Sequence, residues 1–75
     1  MSSITIDLKT TGFGNQIKTK IINLNNIANT LHINPDRLVA IISKDIGTKV
    51  NTDNEFYGKI TNQDIKNVLY KNNLL

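Results

Sequence analysis

The residues whose types could do chemistry are few, and most of them are basic. Lys18 and Lys20 stand at alternate positions of "IKTKII", a β-branched run over 17–22. Side chains on a strand have a period of two, so the two ammonium groups share a face. Lys9 precedes the glycine-bracketed "GFG", and Lys59 follows a later glycine. Such a set could hold phosphates, or it could be a solvated surface. The bracketed Phe13 has two readings as well: an aromatic for stacking, or a plug that packs the loop down. The formal net charge of +3 favours an anionic partner such as RNA.

Other chemistry finds little support. The chain has one histidine, His32, and no cysteine. A nucleophile-and-base pair therefore lacks its usual members. One histidine without cysteine does not complete a tetrahedral metal site. His32 reads as a linker residue between two helices. Asp53 and Glu55 flank a predicted turn, with nothing to mark them as an acid–base pair. "GFG" lacks the lysine and hydroxyl residue of a phosphate-binding P-loop. The expectation is a protein that binds and does not catalyse, with no cofactor and no metal.

The elements that must position the lysines follow from periodicity. "SITIDL" alternates, with Ile4, Ile6 and Leu8 on one side, and predicts a half-buried strand over 3–8. "KTTGFGNQ" reads as a loop, and 17–22 as the next strand. The period then lengthens. Leu24, Ile27, Ala28 and Leu31 form an apolar helical stripe over 24–31, with Asn23 as its N-cap. Asn34, Pro35 and Asp36 open a second helix that Gly47 closes. "TKVNTDNEFYGKI" predicts a hairpin with strands near 48–51 and 55–60 around the turn "NTDN". Thr61 and Asp64 form a capping box for a third helix over 62–71.

The order is β-β-α-α-β-β-α. It predicts an α+β fold: a small antiparallel or mixed sheet of about four strands, with helices packed on one face. At 75 residues, a single domain covering 1–75 is expected. No stretch approaches the roughly 20 apolar residues of a membrane span. No basic segment followed by an apolar run marks a leader. With no cysteine as well, a cytoplasmic protein is expected, monomeric for preference.

"GNQIKTKIINLNNIANTL", "NPDRLVAIISKDIGT" and "GKI" together resemble the central α–β domain of two translation initiation factors. These are the beta subunit of initiation factor two and the N-terminal part of initiation factor five. In that family a G-x-G-N loop leads into I-K-T, then a strand, an Asn and a helix containing "IA..L". A proline-led helix ending in a Leu-Gly or Ile-Gly pair follows, and later a hairpin with Gly-Lys. Here those positions are Gly12, Gly14 and Asn15; Ile17, Lys18 and Thr19; Asn23; Ile27, Ala28 and Leu31; Pro35; Ile46, Gly47 and Thr48; Gly58 and Lys59. The similarity spans about residues 12–71.

The resemblance implies a translation-initiation role in the cytoplasm, by contact with initiator tRNA, the small ribosomal subunit or another initiation factor. Lys9, Phe13, Lys18, Lys20 and Lys59 are the candidate contacts. The family also carries a zinc ribbon on paired CxxC motifs and an N-terminal extension, so a stripped-down α–β domain is expected here. The GTPase-stimulating arginine of the factor-five version does not carry over, because the sole arginine, Arg37, lies inside the second helix. Phe13 stands where the family often has a basic residue. The alternative is an adaptor or decoy that binds a translation-factor subunit without significant RNA affinity.

Overall fold

Two periods divide the chain, and the structure follows them. The computed structural model describes residues 4–75. Its strands are β1 (Leu8–Thr11), β2 (Lys18–Ile21) and β3 (Glu55–Tyr57). Its helices are α1 (Leu24–Thr30), α2 (Pro35–Ile46) and α3 (Asn62–Lys71). β2 lies between β1 and β3 and is antiparallel to both. The fold is α+β, and among the described residues the sheet has three strands rather than about four. Thr19, Ile21 and Phe56 are buried on one face of the sheet. The two apolar residues join Leu24, Ile27, Ala28, Leu38, Ile42, Ile65 and Leu69 in one core, so the helices gather on that side.

The first strand is displaced from its expected place. Ser3 lies outside the described residues. Ile6 is buried and Ile4 packs against the core, as the alternation requires. Yet 4–7 joins no ladder, and pairing begins at Leu8, opposite Ile21. The ladder runs on through Thr11, opposite Lys18, in a segment expected to be loop. Alternation reports which side is buried, whereas pairing is set by distance from the turn.

Asn23 explains how 4–7 is held. Its side-chain carbonyl accepts from the Asp7 N–H at 3.0 Å, and its amide donates to the Thr5 carbonyl at 2.7 Å. Ile22 N–H adds a bond to the Asp7 carbonyl. One side chain thus stands in for a strand neighbour. The expected N-cap is corrected accordingly: Asn23 precedes α1 but makes no side-chain capping bond, because its carbonyl is already used.

The hairpin arm expected over 48–51 contracts to a single bridge, Val50 to Phe56. The Thr48 N–H is committed to the end of α2, where it bonds the Ser43 carbonyl. The Asn51 side-chain carbonyl takes the N–H groups of Asp53 and Glu55, which closes the "NTDN" turn. The second arm stops at Tyr57 instead of reaching 60.

The helix boundaries follow their caps. Asn34 accepts from the Asp36 N–H, and Pro35 opens α2. Thr61 and Asp64 form the reciprocal box at α3. All three helices end against a left-handed residue: His32 (φ +57°), Gly47 (φ +79°) and Asn73 (φ +59°). After α1, Ile33 N–H bonds Ala28 and His32 N–H bonds Asn29, the paired bonds of a Schellman ending. That geometry assigns His32 a backbone task.

The segment after β3 is anchored by one buried hydroxyl. Thr19 Oγ1 donates to the Gly58 carbonyl at 2.8 Å and accepts from the Ile60 N–H at 3.1 Å. Thr19 is fully buried. Thr19→Val keeps the shape but orphans both backbone groups, and is expected to cost about 2 kcal/mol in urea unfolding. Thr19→Ser keeps the hydroxyl and should lose less; a neutral Thr19→Val beside a costly Thr19→Ser would assign the effect to the methyl group. His32→Gly removes a left-handed conformation from an L-residue and should raise stability by about 1 kcal/mol, read as a higher melting temperature.

Candidate nucleic-acid interface

The sheet face away from the helices is built by β2 and its two neighbours. Register places Lys9 opposite Lys20, and Lys20 opposite Glu55. The next row along runs Thr11, Lys18, Tyr57. The rows are two residues apart on each strand, about 7 Å. Lys9, Lys20 and Tyr57 are exposed and Lys18 is half-buried. Lys9, Thr11, Lys20, Ile22 and Glu55 line an open depression of about 450 Å³.

Each side chain has its own constraint. Lys18 Nζ lies 5.5 Å from the centre of the Tyr57 ring, a cation–π contact worth about 0.5–1 kcal/mol at an exposed site. Glu55 Oε1 accepts from Asn51 Nδ2 at 2.9 Å, so this carboxylate also belongs to the turn. Lys9 and Lys20 face each other with like charge, an arrangement that destabilises a sheet. Lys9 also lies on the free edge of β1, where a lysine opposes pairing with a foreign strand.

Phe13 is not a plug. It is 92% exposed, at the tip of the loop joining β1 to β2. A single 3-10 turn over Gly14–Gln16 follows, tied by Gln16 N–H to the Phe13 carbonyl. Gly12 has φ +90°, and a Cβ there would stand 2.1 Å from the Gln16 carbonyl oxygen. A side chain at position 12 would force the loop open. The loop is therefore closed on itself and holds its aromatic outward.

Of the sequence-predicted residues, the structure brings together Lys9, Lys18 and Lys20, with Phe13 at the adjoining loop. Lys59 is exposed but lies past Tyr57, where the β2–β3 register ends, so strand alternation does not place it in this group. Tyr57 and Ile22 were missed. An aromatic alternating with the core residue Phe56 was the available signal for Tyr57. The two carboxylates expected beside the turn remain there, with Asp53 N–H and the Glu55 side chain both bonded to Asn51. Among the described residues no group of three His, Asp or Glu could hold a metal ion, and no helix is long and apolar enough to cross a membrane.

No protein-family model and no curated protein matches the chain.

Lys9→Glu turns the first row into Glu, Lys, Glu. Relief of the lysine pair should raise folding stability by about 0.5 kcal/mol, measured by urea unfolding at low salt. The gain should shrink in about 1 M salt, where the screening length falls to about 3 Å.

Proposed function

We propose that the chain is a non-catalytic RNA-contacting domain of the initiation-factor type. The observation that carries this reading is the grouping of Lys9, Lys18 and Lys20 on the sheet face left uncovered by the helices. Lysines opposed at close quarters cost the fold energy, and phosphates bound between them remove that repulsion. Phosphate contacts fix position without reading bases, so binding is weak and nearly independent of sequence. The resemblance adds the context: initiator tRNA or the small ribosomal subunit as the RNA, another initiation factor as a neighbour, and the cytoplasm as the place of action.

A second reading has one observation in its favour. Ile22 is 61% exposed on the same face as Lys20, an apolar side chain that an adaptor could use against a translation-factor subunit. Salt separates the two readings, because phosphate binding releases counterions and an apolar contact does not.

The test is titration of fluorescent tRNA at two salt concentrations. Wild type should bind less tightly as salt rises. Lys9→Glu combined with Lys20→Gln should reduce both the affinity and the salt slope, while circular dichroism shows an intact fold. If wild type and the variant bind alike, and an initiation-factor subunit is captured at high salt, the adaptor reading replaces this one.

A further inference from the structure

The open face carries more than charge. Tyr57 is 44% exposed and shares its row with Thr11 and Lys18. Thr11 and Lys18 are the last register pair before the hairpin loop. Phe13, almost wholly exposed, stands in that loop. Two aromatic rings and Lys18 are thus gathered toward one end of the sheet, with Lys9 and Lys20 in the next row along the same face.

Neither ring serves the core. Phe13 is held out by a loop that Gly12 closes, and Tyr57 rests under an ammonium group at 5.5 Å. That ammonium can leave for a phosphate, which is a stronger partner for a cation than a ring. The ring is then free for a flat, apolar surface. A nucleobase next to a phosphate supplies both at once. Duplex RNA keeps its bases stacked inside and offers these rings nothing beyond phosphates.

Resting on the RNA-binding reading above, we propose that this end of the sheet binds unpaired RNA. Bases stack on Tyr57 and Phe13, and the adjoining phosphates lie on Lys18, Lys20 and Lys9. Stacking is tolerant of sequence because every base has a π-face. The ligand class is therefore a single strand, a loop or an unpaired end.

A labelled short oligouridylate and a blunt RNA duplex of equal length distinguish the outcomes. The single strand should bind more tightly. Phe13→Ala and Tyr57→Leu should each weaken its binding about tenfold, with the salt slope unchanged. Lys9→Glu should instead lower the slope by about 0.7 for one lost phosphate contact. In a Tyr70→Phe background Tyr57 is the sole tyrosine, and its fluorescence should be quenched by the oligouridylate. If Tyr57→Leu fails to fold, Phe13→Ala and the quenching decide.

Equal binding of duplex and single strand, with Phe13→Ala indistinguishable from wild type and no quenching, would overturn the stacking proposal and leave the RNA-contacting function standing. Binding of neither probe nor tRNA would remove both. Capture of a protein partner through Phe13 and Ile22 in that case would assign the face to an adaptor.

Discussion

The Thr19 hydroxyl is the point on which the sheet depends. β3 is only three residues long, and its second neighbour is a single bridge at Val50. Alone it would be a weak element. Thr19 extends its attachment past the last ladder pair by holding Gly58 and Ile60 through their backbones. That grip sets where the chain enters α3 at Thr61, and so where Ile65 and Leu69 meet the core. It also fixes β3 against β2, which brings Tyr57 beside Lys18. A buried polar group with both partners satisfied is specific as well as stabilising, because few other packings would satisfy it.

The fold was legible where local chemistry and tertiary packing agree. α2 and α3 were readable to their ends because proline, asparagine, threonine and aspartate act within a few residues of where they stand. It was least legible where one residue had two possible employers. Asn23 is well suited to capping α1, and nothing nearby reveals that Thr5 and Asp7 claim its side chain. Val50 lies on an alternating run, yet the end of α2 and the Asn51 turn leave it room for one bridge. Thr10 and Thr11 are β-branched and could have signalled a strand, but the following glycines outweighed them.

The candidate surface was half visible for a related reason. Period two places Lys18 and Lys20 together without any knowledge of the fold. Placing Lys9 opposite Lys20 requires the register, which the turn length sets and the sequence pattern does not state. Lys59 falls within the strand expected over 55–60, but β3 stops at Tyr57 and its pairing does not reach that far. Phe13 could not be assigned from composition, since an exposed and a buried phenylalanine look the same in a loop. Only the close approach of Gly12 to Gln16 reveals that the loop packs on itself and leaves the ring outside.

The Asn23 clasp has a consequence for how the molecule opens. Residues 4–7 are bound to the rest by side-chain and turn hydrogen bonds and by the burial of Ile6, with no ladder of their own. Their release leaves every β1–β2 pair from Leu8 to Thr11 in place. Because it shares no ladder with the sheet, this segment is placed to open as a unit of its own, and local opening would expose its amide protons to exchange while the helices and the sheet stay protected. An opening of this kind would withdraw Ile6 from the core and leave an apolar vacancy where its side chain had been.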